Sequence, residues 1–242
     1  MCAACKEAKP PAHLRRNASV RVFAFELLKP NHWLLTRLFE RYSVPGATYL
    51  AAVSNFTGTA YAPTGVRTGQ EWETAGFGDA KRTRSRAWAA VPSTTVDAFA
   101  QREQIERVHW LSVDAEGWDA LILEGATRLL AARRIDLLEF EYHSKGMWAS
   151  TLRHGERRDL RASLLTLESY GFACFWQGAK GAIAEASGGA WCDAFEFRAH
   201  SNLVCSHVPH LVRLLRSLDQ TANLPAGRRQ PHGEGVSGGR RV

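Results

Sequence analysis

Val108-His109-Trp110-Leu111-Ser112-Val113-Asp114-Ala115-Glu116-Gly117 opens the stretch that decides the fold. Val108–Val113 is a short, mostly apolar run, as a strand buried on both faces requires. It stops abruptly at two carboxylates and a glycine. Trp118, Leu121, Ile122, Gly125 and Leu129 then recur at helical spacing. That spacing predicts one amphipathic helix, with Arg133 and Arg134 in its last turn. Ile135–Tyr142 predicts a second strand, ending in polar groups at Glu141, Tyr142 and His143. Strand, helix and strand over this length make a right-handed βαβ unit of a parallel sheet. Both strands carry acids at their carboxyl ends, the edge where open α/β sheets bind ligands.

Upstream, Val20–Phe25 predicts a strand that ends at Glu26. Trp33–Tyr42 has helical periodicity through Leu34, Leu35, Leu38 and Phe39, with Asn31 as the expected N-cap. Tyr49–Asn55 predicts a third strand. Residues 56–90 are rich in Gly, Thr and charge and have no clear period, which predicts a long loop. Thr94–Phe99 introduces a helix, with Ser93 or Thr94 as its cap. Downstream, Glu156–Tyr170 predicts an amphipathic helix closed by Gly171. Phe172–Trp176, Asp193–Ala199 and Ser201–Cys205 predict further strands.

Three segments together resemble the signature of FkbM-type methyltransferases. They are Leu111-Ser112-Val113-Asp114-Ala115-Glu116-Gly117, Leu123-Glu124-Gly125-Ala126 and Phe140-Glu141-Tyr142. Phe25-Glu26 with Pro30-Asn31, Ala52-Val53-Ser54, Thr94-Thr95-Val96-Asp97 and Ser201–Cys205 resemble further parts of the same pattern. The family consists of class I, S-adenosylmethionine-dependent enzymes. The resemblance therefore implies an α/β fold with a Rossmann-like class I methyltransferase sheet, mostly parallel, with helices on both faces. It also implies S-adenosylmethionine as cofactor and a small-molecule acceptor, a sugar or other hydroxylated metabolite methylated on oxygen.

Site roles follow residue by residue. Glu26, at a strand end, is expected to take the ribose hydroxyls, and Ala52 and Val53 to lie near the adenosine. Asp114 and Glu116 are expected below the methyl group, with Asp114 orienting cofactor or acceptor. Glu141 or His143 is the expected general base. Gly69, Gln70, Glu71 and Thr74 are further polar contributors from the long loop. Asp114 with Glu116 is also the kind of pair that binds a divalent cation in other class I O-methyltransferases, but no metal is assigned to the site.

A class I methyltransferase normally begins with a strand and a glycine-rich loop that approaches the methionine part of the cofactor. Residues 1–19 contain no glycine, so the first strand is expected to be missing or atypical. Three readings accommodate this: a misplaced start, a decayed and inactive relative acting as a binding protein, or a substitute filling by residues 1–19. The expected organisation is an irregular segment at 1–19, an N-terminally incomplete methyltransferase domain at 20–210, and the end of that domain with a disordered basic tail at 211–242.

The chain has 242 residues, 45% of them hydrophobic, and includes eight Trp, ample for a core. No apolar run approaches the roughly 18 residues that cross a bilayer. No signal peptide is visible, and a cytoplasmic placement is favoured. The net charge of +7 is concentrated at Lys81–Arg86 and in the tail. Without a recognition motif, it reads as solvated loops, and no nucleic-acid partner is expected. Five cysteines argue against a complete disulfide framework. Cys174, Cys192 and Cys205 read as buried thiols, and Cys2 with Cys5 as half a zinc site that lacks its other half.

Overall fold

The computed structural model describes residues 20–69, 87–142, 144, 146–149, 159–178, 181–196 and 201–219. They divide into two units. One holds the described residues up to Gln104 together with Leu121–Ala126; the other holds Ile105–Ala120 and the described residues from Thr127 onward.

In the first unit, β1 (Val22–Glu26) and β2 (Gly46–Leu50) pair in parallel, with Glu26 opposite Leu50. They are joined by α1 (Lys29–Tyr42). The helix starts earlier than the expected Asn31 cap. Leu28 is the N-cap residue, and Pro30 sits in the first turn, where a missing N–H is tolerated. Asn31 lies inside the helix, and its Oδ1 accepts the Gly69 N–H at 2.7 Å. Phe25 stacks on Tyr49, and Phe99 of α2 (Val96–Arg102) meets Phe23, Phe25 and Tyr49 edge-on. This aromatic cluster ties helix to sheet. The cap of α2 is Thr95, one residue past the expected pair: its Oγ1 accepts the Ala98 N–H at 2.9 Å.

The expected strand at Tyr49–Asn55 is interrupted at Ala51. β3 (Ala52–Val53) pairs in parallel with β5 (Trp88–Thr94), which pairs antiparallel with β4 (Gly58–Pro63). Regular structure thus stands in part of the expected loop. Its core is made of small residues, Ala52, Ala60, Ala62 and Val91, too little apolar bulk to mark strands in the sequence. Residues 70–86, including Gln70, Glu71, Thr74 and the basic cluster, lie outside the described residues.

The second unit contains β6 (Val108–Val113), β7 (Ile135–Tyr142), β8 (Ala173–Gln177), β9 (Ile183–Glu185) and β10 (Ser201–Ser206), in the order β6-β7-β10-β8-β9. β6 and β7 are parallel, from Val108 opposite Ile135 to Val113 opposite Phe140, as the βαβ reading requires. β10 is antiparallel to both β7 and β8, and β9 is antiparallel to β8. The sheets are therefore mixed, not mostly parallel. β6 is an edge strand in this order, and Trp110 is 60% exposed. The strand's composition predicts cover on both faces; among the described residues it lacks that cover.

The helix expected across Trp118–Arg134 is two, α3 (Asp119–Glu124) and α4 (Thr127–Ala131). The break falls at Gly125, which packs against distant backbone. A Cβ on Gly125 would overlap the carbonyl oxygen of Ser54, and the Gly125 carbonyl accepts the Asp97 N–H at 3.0 Å. α5 (Gly146–Ala149), α6 (Leu160–Ser169) and α7 (Pro209–Leu218) follow. α6 is capped by Asp159, whose Oδ1 accepts the Ala162 N–H at 2.7 Å. Gly171, at φ 89°, turns the chain after its end. In place of the expected strand at 193–199 the described residues show a 3₁₀ turn at Asp193–Phe195. Residues 1–19, with Cys2 and Cys5, and residues 220–242 lie outside the described residues.

Two of the cysteines read as thiols form a disulfide. Cys174 of β8 and Cys205 of β10 are register partners with Cα atoms 4.1 Å apart, and both are fully buried. The Cys174 N–H donates to Ser187 Oγ, and its carbonyl accepts the Ala186 N–H. Both backbone groups thus face away from β10. The pair is a non-hydrogen-bonded one, in which opposing residues approach closest. Cys192 is exposed, not buried.

Candidate active site

The register of β6 against β7 brings the carboxylates together. Val113 and Phe140 are the last paired residues, so Asp114 and Glu141 each come one step later, at the carboxyl edge. Asp114 is exposed, and Glu116 and Glu141 are half-buried. Between β6 and α3 the chain takes two consecutive left-handed residues, Glu116 at φ 51° and Gly117 at φ 87°. A glycine adopts this freely; a glutamate does so only where its surroundings hold it.

Those surroundings centre on Asp119, which the strand-end pattern of acids does not mark. Its side chain has no solvent exposure. Oδ2 accepts the Gly117 N–H at 3.2 Å, and Oδ1 accepts the Glu141 N–H at 3.0 Å. α5 takes the opposite side of the same two residues. The Met147 N–H donates to the Gly117 carbonyl at 2.8 Å, and the Trp148 indole N–H donates to the Glu141 carbonyl at 3.0 Å. Gly117 and Glu141, 24 positions apart in the chain, are thus each held by N–H and by C=O. Burial pushes the Asp119 carboxyl up to about 7, and the nearby Glu141 and Asp114 carboxylates push the same way, against the backbone N–H groups of Glu141 and of Asp119 itself. The only sequence signal for this residue is an acid two positions after the glycine, opening an apolar helix.

Beyond Glu141, the Tyr142 hydroxyl donates to Glu196 Oε2 at 2.6 Å, and Tyr142 packs edge-on against Trp148, with ring centroids 5.0 Å apart. The end of β7 is therefore anchored by aromatic packing as well as by hydrogen bonds. His143 lies outside the described residues.

The expected cofactor residues Glu26, Ala52 and Val53 belong to the first unit. Glu26 ends β1, and its Oε1 accepts the Leu28 N–H at 2.6 Å. This bond turns the chain into α1. Ala52 is buried and Val53 half-buried, at the end of β3. Ser54 follows with its N–H on the Thr94 carbonyl. Asn55 Nδ2 donates to Glu124 Oε2 at 2.7 Å. Among the described residues no cluster of three or more His, Cys, Asp or Glu could hold a metal ion, and no helix is long and apolar enough to cross a membrane.

No curated protein and no solved structure matches the chain. Residues 4–174 match the family model described as the methyltransferase FkbM domain. The match begins inside the segment read as irregular and ends at Cys174 of β8. It takes in β1–β7 and both sets of residues described above, more than half of the chain. The chain belongs to the FkbM methyltransferase family.

Proposed function

We propose that the chain transfers a methyl group from S-adenosylmethionine to an oxygen of a small hydroxylated metabolite or sugar. The observation that carries this reading is the carboxyl edge of β6 and β7. There Asp114, Glu116 and Glu141 gather on a backbone held in an unusual conformation, within a chain of a methyltransferase family.

The residues present suit the cofactor's chemistry. Glu26 uses one carboxylate oxygen to shape the turn into α1, leaving the other as an acceptor for ribose hydroxyl protons. Ala52 and Val53 offer an apolar strand end suited to an adenine ring. When bound, the cofactor supplies a methyl group on a cationic sulfur, ready for in-line displacement. The chain's own part is to orient and to deprotonate. Asp114 orients the acceptor or the cofactor at the end of β6. Glu141, or His143 two residues later, takes the acceptor's hydroxyl proton as the carbon–oxygen bond forms.

The test is a calorimetric titration of the chain with S-adenosylhomocysteine, alongside Glu26→Ala. Micromolar binding that Glu26→Ala weakens tenfold or more, about 1.4 kcal/mol, is the expected result. A well-folded chain that does not bind would sink the enzyme reading and leave the inactive, partner-binding relative in its place.

A further inference from the structure

We propose that Asp119 is a positioning residue for methyl transfer: its buried carboxylate fixes the peptide groups of Gly117 and Glu141, and with them the points from which the Glu116 and Glu141 side chains reach the reacting groups. The inference rests on the methyltransferase reading of this edge.

The argument starts from cost. A carboxylate with no solvent exposure loses its hydration and recovers only part of it through hydrogen bonds. Fold stability alone gives little reason to keep one there. What Asp119 does, and an apolar residue would not, is reach two segments far apart in sequence with one rigid, planar group. One oxygen takes Gly117 and the other takes Glu141.

The backbone that it grips is the strained one. Glu116 and Gly117 are both left-handed, and such conformations persist only where neighbours over-determine them. α5 supplies the remaining restraints through Met147 and Trp148. α5 has only four residues, too short to form unaided, so it depends on these contacts in turn. Loss of Asp119 would leave two buried N–H donors unsatisfied and free the Glu116–Gly117 turn to relax. The carboxylates at the edge would then shift by more than an in-line displacement tolerates.

Asp119→Asn tests this. The amide keeps the shape of the side chain but offers one acceptor where two N–H groups point. S-adenosylhomocysteine binding to the full chain and to the variant is measured by calorimetry, with melting midpoints recorded in parallel. The expected result is at least tenfold weaker binding by the variant, measured at a temperature where both chains are folded. A role in stability alone would move the midpoint and leave affinity unchanged. Binding within twofold of the parent overturns the inference while leaving the methyltransferase reading intact; no binding by the parent chain overturns both. Should the variant fail to fold, amide hydrogen exchange of the parent decides. Gly117 and Glu141 should exchange more slowly when S-adenosylhomocysteine is present, and unchanged rates at both overturn the inference.

Discussion

Gly146 sits against Gly117 so closely that a Cβ on Gly146 would lie 2.6 Å from both the carbonyl carbon and the carbonyl oxygen of Gly117. Gly146 is also left-handed, at φ 60°. The two glycines let α5 approach the turn after β6 and put the Met147 N–H on the Gly117 carbonyl. Gly146→Ala should therefore combine a left-handed penalty of about 1–2 kcal/mol with a backbone clash that cannot relax through a side chain. The expected total is about 3 kcal/mol, a fall in melting midpoint of roughly 6–12 °C for a chain of this size. Calorimetric melting measures it directly. A midpoint equal to the parent's would mean that α5 does not dock against Gly117.

Asp119 should make the stability of the chain depend on pH in an unusual direction. Its carboxyl is raised from 3.8 to about 7, first by burial. The folded chain holds this proton more tightly than the unfolded chain does. The stability that it contributes is full below about pH 4 and is lost as pH rises to about 7, a change on the order of 4 kcal/mol. Other carboxylates give the opposite trend, so the useful quantity is a difference. The unfolding free energy of the parent minus that of Asp119→Asn, from urea titrations, should fall steadily between about pH 4.5 and 7.5. A flat difference would place the titration of Asp119 elsewhere.

Thr95 and Thr94 separate the two cap assignments. Thr95→Ala removes the acceptor of the Ala98 N–H and should cost about 1 kcal/mol. Thr94→Ala leaves that bond in place and should cost less than half as much. Denaturant midpoints of the two single variants provide the check, and a larger loss at Thr94 would place the cap there instead.

The disulfide predicts a pattern of thiol chemistry. In the native, unreduced chain an alkylating reagent should label Cys192 and spare Cys174 and Cys205, which are bonded and buried. Peptide mapping should find the latter two linked. Reduction should lower unfolding stability by roughly 3–4 kcal/mol, the loop-closure value for a bridge spanning 31 residues. Recovery of Cys174 and Cys205 as alkylated peptides from native protein would refute the bond.

These predictions concentrate where the sequence was least informative. β6, β7 and their parallel pairing were legible because short apolar runs ending in acids have one common use in α/β folds. The break between α3 and α4 was not. Trp118, Leu121, Ile122 and Leu129 keep helical spacing across Gly125, whose carbonyl is taken by the Asp97 N–H, distant in the chain. The direction of β10 leaves no mark in Ser201–Ser206, because an apolar strand reads alike in either direction. Cys174 and Cys205 lie in the apolar surroundings that a thiol also prefers. Glu26, Asp114, Glu116 and Glu141 stand out in the sequence as acids at or just after strand ends. Asp119 carries no such mark, because an acid in a first helical turn has a bland explanation, and only complete burial sets it apart.

Leu121–Ala126 belongs with the residues that precede Gln104, although the chain between them builds β6 in the other unit. No single cut can therefore release the first unit whole. An expressed fragment ending at Gln104 would lack Gly125, the acceptor for the Asp97 N–H, and Glu124, the partner of Asn55. On the ribosome the same interleaving delays that unit until residue 126 has emerged. By then the whole of β6, which belongs to the other unit, has already been made.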